Sequence, residues 1–345
     1  MNRSLQTTSY RALAPAGAGE APVTLSVVVP VYNEAPVIAD FHRRLAAVLQ
    51  ALTVSAEIVY VNDGSRDDSM RLLRAFADAD VRVVLLDFSR NFGKEIAMTA
   101  GLDHAAGSAV IVIDADLQDP PELIPDMLRE WQAGADVVLM RRESREGESW
   151  FKKASASAFY RFIGSIGEMP IPADVGDFRL LSRRAVEALR LMPERTRFMK
   201  GLFAWVGFNQ VTLAYRRDAR FAGETKWNYW RLWNLALEGI TSFSSAPLKL
   251  ASYVGLAAAV YALGAGAYVL GKALLFGDPV AGYPSLMVTV LFLGGVQLIA
   301  LGIIGEYLAR MFVEVKGRPL YLLAGIYRRR TLPADAPRIE DPPPP

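Results

Sequence analysis

The sequence predicts an α/β protein: a doubly wound, mostly parallel sheet, followed by interfacial helices and two transmembrane helices. Two patterns carry this. Between residues 25 and 140, short β-branched runs alternate with helical stretches, the rhythm of strand–helix–strand units. Further on, Leu250–Gly271 and Pro279–Gly305 contain no charged residue over 22 and 27 positions. Both exceed the ~20 residues needed to cross a bilayer core. A chain of 345 residues, 52% of them hydrophobic, has room for one large sheet domain and a membrane appendage.

The elements follow in order. Leu25–Val31 reads as the first strand, closed by Tyr32-Asn33-Glu34 and followed by a helix to about Leu52. Glu57–Val61 is the second, ending in Asn62-Asp63-Gly64-Ser65, with a helix from Asp67 or Asp68 to about Ala77. Val81–Leu86 is the third strand and Ile96–Ala105 a helix. Ala109–Ile113 is the fourth strand, Glu122–Ala133 a helix after Pro120-Pro121, and Asp136–Met140 the fifth strand. Phe151–Ile166 and Trp227–Phe243 mix aromatic, aliphatic and basic residues. They read as amphipathic helices in the membrane interface, or as ordinary surface helices packed on the core. The expected organisation is a flexible segment over 1–22, a sheet domain with interfacial helices over 23–245, a membrane hairpin over 246–312 and a tail over 313–345.

Charge sets the orientation. Lys249 precedes the first span, and Arg310, Lys316, Arg318 and Arg328-Arg329-Arg330 follow the second, while the turn offers only Lys272 and Asp278. The positive-inside rule places both flanks in the cytoplasm. The first 22 residues lack the apolar run of a signal peptide, and the chain has no cysteine, which fits that compartment. A net charge of +2 gives no footprint for nucleic acid. The local basic clusters suit phospholipid heads or phosphates.

The chemistry concentrates at strand ends. Val110–Asp119 reads Val-Ile-Val-Ile-Asp-Ala-Asp-Leu-Gln-Asp. In an extended chain, residues i and i+2 face the same side. Asp114 and Asp116 therefore project together from the edge where open α/β sheets bind ligands. Carboxylates this close call for a hard cation such as Mg²⁺ or Mn²⁺, which typically bridges to diphosphate oxygens. The plainer alternative is that they start a loop or cap the next helix. His42 and His104 fall inside helices and receive no role.

Pro30-Val31-Tyr32-Asn33-Glu34, Val61-Asn62-Asp63-Gly64-Ser65 and Asp114-Ala115-Asp116, each at a strand end, together resemble the family-2 glycosyltransferases with their GT-A fold. The resemblance covers roughly residues 25–245. It implies that Pro30, Tyr32, Glu34 and Asp63 contact uracil and ribose, and that Asp116, with Asp114 and Gln118, holds the metal. Carboxylates at 34 and 63 suit ribose hydroxyls and base N–H groups. Ser89–Glu95, Asp119-Pro120-Pro121-Glu122, Gly176-Asp177-Phe178-Arg179, Gly305–Arg310 and Glu314–Pro319 narrow the likeness. They are similar to segments of the polyprenyl-phosphate glycosyltransferases, closest to the bactoprenol (undecaprenyl-phosphate) glucosyltransferases.

That likeness implies an inverting transfer of a sugar, glucose first among candidates, from a UDP-sugar to undecaprenyl phosphate at a bacterial inner membrane. A phosphate monoester, with a second pKa near 6, needs charge neutralisation more than a base. Arg141, Arg142, Arg197 and Lys226 are the candidates for gripping it, each otherwise a solvated surface charge. Asp177 is expected to position acceptor or sugar, with Asp116, Arg197 and Lys226 completing the catalytic set. Lys94 reads equally as a donor contact or a helix-start charge. The small residues of the first span (Ala257, Ala258, Ala259, Gly264, Gly266, Gly271) allow close helix packing, and the likeness implies a homo-tetramer. N-acetylglucosamine, galactose, mannose and aminoarabinose remain open as sugars. A processive polysaccharide synthase is disfavoured because no Arg-Trp pair occurs, and a dinucleotide-binding oxidoreductase because no Gly-x-Gly-x-x-Gly follows the first strand. A non-catalytic nucleotide-sugar sensor is the remaining alternative.

Overall fold

The computed structural model describes residues 23–142, 175–192, 194–195, 197–215, 246–276 and 282–329. The expected interfacial helices at 151–166 and 227–243, Lys226, and the turn at 277–279 lie outside the described residues, as do the first 22 residues and the chain after 329. The described chain runs β1 (Leu25–Val31), α1 (Ile38–Ala51), β2 (Ala56–Asn62), α2 (Ser69–Ala79), β3 (Val83–Phe88), α3 (Lys94–His104) and β4 (Ala109–Val112). It continues through α4 (Ile124–Gln132), β5 (Val137–Arg142), β6 (Val175–Ser182), α5 (Arg183–Arg190), α6 (Met199–Trp205) and β7 (Gln210–Tyr215). It closes with α7 (Ala246–Phe276), α8 (Tyr283–Lys316) and β8 (Leu323–Arg328).

The strands make one eight-stranded sheet in the order β7-β5-β6-β4-β1-β2-β3-β8. β1 pairs in parallel with β2 and β4, β2 with β3, and β5 with β7. β6 and β8 run antiparallel to their neighbours. The sheet is mostly parallel, as the sequence predicts: among the described strands only β6 and β8 run against the common direction, and β7 runs with it beside β5.

Period-two patterning builds the two layers. Val27, Val29, Ile58, Tyr60, Val83 and Leu85 face one side, where Phe41, Leu45, Leu73 and Met127 of α1, α2 and α4 cover them. Val28, Val59, Val61, Val84 and Leu86 face the other, covered by Met98, Leu102, Val186, Leu189 and Phe203 of α3, α5 and α6. With both faces buried, the central strands are apolar throughout, as parallel strands generally are.

α7 and α8 lie against each other. Windows at Ala251–Tyr268 and Phe292–Lys316 are long and apolar enough to cross a membrane. Tyr253, Leu256, Leu263, Tyr268, Leu286 and Leu298 all point outward, so this hairpin needs an apolar environment. The 34 residues of α8 extend ~51 Å, well beyond a ~30 Å hydrocarbon core. Its charged last turns, with Glu306, Arg310, Glu314 and Lys316, come off the apolar stretch.

The chain then returns to the sheet. Gly317 turns it in the left-handed conformation, φ 64°. Tyr321 stacks on Phe88 at 5.2 Å between ring centroids and donates its hydroxyl to Asp103 at 3.1 Å. β8 follows, pairing Leu86 with Ile326 and Val84 with Arg328. Arg74 donates to the Tyr327 hydroxyl at 2.6 Å. Residues expected to belong to a tail are thus the edge strand of the sheet.

Candidate active site

One sheet edge gathers the C-terminal ends of β1 to β5 and the start of the antiparallel β6. The first two loops are stitched to each other. The Asn33 N–H donates to Ser65 Oγ at 3.1 Å, the Arg66 N–H to Asn33 Oδ1 at 2.8 Å, and the Glu34 N–H to Ser69 Oγ at 2.9 Å. Asn33 sits at φ 55°, a conformation asparagine adopts more readily than most residues. Tyr32 is exposed and Glu34 half-buried beside it, whereas Pro30 is buried inside β1 opposite Val61.

Asp63 is turned inward and almost fully buried. Its carboxylate accepts from the Phe92 N–H at 2.6 Å and the Gly93 N–H at 3.0 Å. Burial raises its pKa, with these two N–H groups opposing the shift. Asp63 thereby fixes the loop that leads into α3. Gly64 completes the packing at φ 64°, where an added Cβ would lie 2.5 Å from the Asn91 nitrogen. Gly64→Ala therefore meets left-handed strain, about 1–3 kcal/mol, together with a backbone clash. The expected outcome is a clear fall in the unfolding midpoint, checked by thermal denaturation.

α3 delivers Lys94 to the centre of this edge. Its ammonium donates to Asp114 Oδ2 at 2.8 Å and to Asp177 Oδ2 at 2.6 Å. The register explains the meeting: β6 runs antiparallel to β4 with Arg179 opposite Val112, so Asp177 comes to the end where β4 releases Asp114. Burial pulls the Lys94 pKa down, but the two carboxylates outweigh it and hold the lysine above its ordinary value. Burial pushes Asp177 up, but Lys94 outweighs it and holds that carboxyl below the usual range.

Asp116 stands half-buried on the loop after β4, accepting the Gln118 N–H on Oδ1 at 3.1 Å across Leu117 at φ 62°. Among the described residues, no group of three His, Cys, Asp or Glu side chains converges on a metal position. An all-oxygen set of one or two carboxylates still fits Mg²⁺ or Mn²⁺, which commonly complete their shell with substrate phosphates and water. Asp116 is the better donor of the pair, since Lys94 engages Asp114.

The basic candidates separate. Arg142, half-buried, approaches Gly176, hydrogen-bonds to the Tyr215 hydroxyl, and feels Asp119 and Asp114. Burial lowers its pKa, and these partners more than offset that. The Tyr215 hydroxyl also donates to the buried Asp119. Arg141 is exposed at the same strand end. Arg197 is elsewhere: it donates to the Met192 carbonyl at 2.7 Å, and its charged surroundings are Asp103, Glu194 and Glu314. Asp103 lies nine residues along α3 from Lys94, ~13 Å away.

Three charged residues near the centre were not singled out from the sequence. Glu95 accepts the Met199 N–H on Oε2 at 2.9 Å. Burial, reinforced by Asp177, pushes its pKa up to about 7. The buried Arg179 guanidinium lies 3.9 Å over the Phe203 ring and donates to the Gly176 carbonyl. Burial lowers its pKa to about 10, against the pull of Asp177 and Glu95. Lys200 adds positive charge beside Asp177 and Glu95. The signal was present, since Glu95 and Arg179 belong to the segments Ser89–Glu95 and Gly176–Arg179, of which only Lys94 and Asp177 drew attention.

Residues 26–190 match the family model for glycosyl transferase family 2, and residues 246–311 match the GtrB C-terminal hairpin. The chain is 50% identical over 313 residues to an uncharacterized glycosyltransferase of Synechocystis, covering 91% of this chain and 98% of that one. It is 49% identical over 304 residues to the SfII prophage-derived bactoprenol glucosyl transferase of Shigella flexneri, covering 88% and 98%. It is 48% identical over 299 residues to a prophage bactoprenol glucosyl transferase homolog of Escherichia coli K12, covering 87% and 98%.

Proposed function

The chain belongs to glycosyl transferase family 2 and is a glycosyltransferase, and from that premise we propose that it moves a sugar, glucose first, from a UDP-sugar to undecaprenyl phosphate at the cytoplasmic face of a bacterial inner membrane. The observation that carries this reading is a single sheet edge bearing Asp63, Lys94, Asp114, Asp116 and Asp177, on a sheet whose last strand comes off an apolar hairpin. A lipid acceptor suits a site tied to such a hairpin, and the names of the Shigella and Escherichia relatives support bactoprenol as that lipid.

In the reaction an acceptor phosphate oxygen attacks the anomeric carbon. A new carbon–oxygen bond to phosphate forms, the bond to the β-phosphate oxygen breaks, and its electron pair leaves with UDP, inverting the configuration. The acceptor is already largely ionised at neutral pH, so no base is needed. Asp177 is suited to positioning, since Lys94 keeps it ionised and makes it a poor proton acceptor. Lys94 and Arg142 face phosphate charge at this edge, with Arg141, Arg197 and Lys226 as further acceptor contacts. Tyr32, Glu34, Pro30 and Asp63 form or support the nucleotide side. A bound divalent ion, held by Asp116 with Asp114 and Gln118, would offset the charge of the departing diphosphate. The small residues of α7 would permit the close helix packing of a homo-oligomer.

Arg197→Ala is expected to raise the acceptor KM several-fold while leaving UDP affinity near normal, measured by transfer kinetics and by calorimetry. Equal losses in both would remove Arg197 from the acceptor side. The reading as a whole is tested by incubating detergent-purified protein with undecaprenyl phosphate and a panel of radiolabelled UDP-sugars, with and without EDTA. Label entering the lipid and lost with EDTA supports reaction and metal together and names the sugar. Transfer that survives EDTA removes the metal. UDP binding without any transfer favours a nucleotide-sugar sensor.

A further inference from the structure

The chain between Arg195 and Met199 is held at its two ends by two glutamates from distant parts of the fold. The Arg195 N–H donates to Glu314 Oε1 at 2.7 Å, and the Arg195 Nε donates to the Arg318 carbonyl at 2.9 Å. Four residues on, the Met199 N–H at the start of α6 donates to Glu95 Oε2 at 2.9 Å. Glu314 lies in the last turn of α8, at the base of the apolar hairpin, and Glu95 adjoins Lys94 at the start of α3. Four residues span at most ~14 Å. Each end is gripped by a charge-assisted bond of the stronger kind.

Glu95 occupies an unfavourable place for an anion. It faces Asp177 from β6, with Lys94 beside it on α3, Lys200 on α6, and Arg179 from β6. An apolar residue would fill this half-buried position without setting a second carboxylate against Asp177. What the carboxylate provides is a fixed distance between α6 and the lysine that bridges Asp114 and Asp177.

We infer that Glu95 and Glu314 are positioning residues, which couple the membrane hairpin to the Lys94–Asp177 centre through the strap 195–199. The base of α8 sets the position of Arg195, the strap sets Met199, and Met199 sets Glu95 and its neighbour Lys94. The same strap carries Arg197. An acceptor arriving along the membrane would thus align the centre through backbone that it reaches first. The functional arm of this inference rests on the glycosyl-transfer reading above.

The test is a substitution cycle in the full-length chain in detergent: Glu95→Ala, Glu314→Ala and the pair, with Glu95→Gln and Glu314→Gln retaining an oxygen acceptor. Amide hydrogen exchange over residues 195–205 needs no turnover, and transfer kcat and UDP affinity are read beside it. Each alanine variant is expected to raise exchange at both ends of the strap. Each should lower kcat about ten-fold with UDP affinity within about two-fold, and the pair should fall no further than the worse single, as groups acting through one element do. The glutamine variants should recover most of the rate. Losses that multiply to roughly a hundred-fold in the pair would overturn the coupling. Exchange confined to the substituted end, glutamine variants as slow as alanine, or a matching loss of UDP binding would each do the same. If the unsubstituted chain transfers no sugar, the proposed reaction fails while the exchange arm still decides the coupling.

Discussion

Asp116→Asn lowers sugar transfer by roughly a thousand-fold or more, an expectation set by the several kcal/mol that metal-assisted departure of a diphosphate supplies. The substitution is close to isosteric. An asparagine oxygen can still accept the Gln118 N–H that Asp116 holds at 3.1 Å, so the tight turn through Leu117 keeps its bond. What disappears is one negative charge at the end of β4, beside an Asp114 whose own charge is answered by Lys94. No other carboxylate among the described residues completes a metal group there. The unfolding midpoint should therefore stay within a degree or two of the parent while transfer collapses, measured side by side at saturating Mn²⁺. Near-normal turnover would remove Asp116 from the leaving-group side.

Lys94→Met should be nearly as damaging to transfer, about a hundred-fold, and unlike the first substitution it also acts on stability. Methionine keeps much of the apolar stem but leaves Asp114 and Asp177 facing one another without the ammonium at 2.7 and 2.6 Å. Removing one partner of a buried pair can cost 3–5 kcal/mol. The Lys94 side chain is 44% exposed, so solvent screening reduces this to about 1–2 kcal/mol. The pH dependence follows from the directions of the shifts. Asp177 is held below its ordinary pKa, so its contribution is present above the unfolded carboxyl pKa and is lost as acid protonates it. Lys94 is held above its ordinary value, so its contribution persists through neutral pH and is lost only in strong base. The difference in melting temperature between parent and variant should be widest from about pH 6 to 9 and narrow below about pH 4. A constant difference across that range would mean the lysine acts by packing alone.

How much of this was legible beforehand depends on the range of the interactions. β1 to β5 and their loops were readable because each is a local pattern: an apolar run, then a turn rich in Asn, Asp and Gly. The clustering of Asp63, Asp114 and Asp116 at one edge follows from strand direction. β6 was not read, because it carries Asp177 and Arg179 inside an otherwise apolar run, and the contacts that accommodate the buried Arg179, such as the Phe203 ring, come from elsewhere in the chain. β7 alternates exposed and half-buried residues, but it is only six residues long. β8 sits where a tail was expected, since its partner β3 lies more than two hundred residues earlier and nothing local announces the pairing. Lys94 shows the same limit at a single residue. Both of its readings came from local pattern, and neither foresaw the ion pair with Asp177, 83 positions away. Arg197 fell at the far end of α3 because the path of the chain after α5 is set by its docking to α8 and the returning segment, which no local pattern encodes.

The pairing of β8 with β3 also imposes an order on biosynthesis. Among the described strands, β1 to β7 leave the ribosome before either apolar helix, and the strand that covers β3 leaves after both. Until residue 328 emerges, the nascent sheet presents the open backbone edge of β3, the kind of edge that recruits other chains. Closure of the sheet therefore waits for the hairpin, and a ribosome that stalls between residues 276 and 323 would release a product with its template edge bare. A chain built this way completes its sheet only once its apolar hairpin has been made.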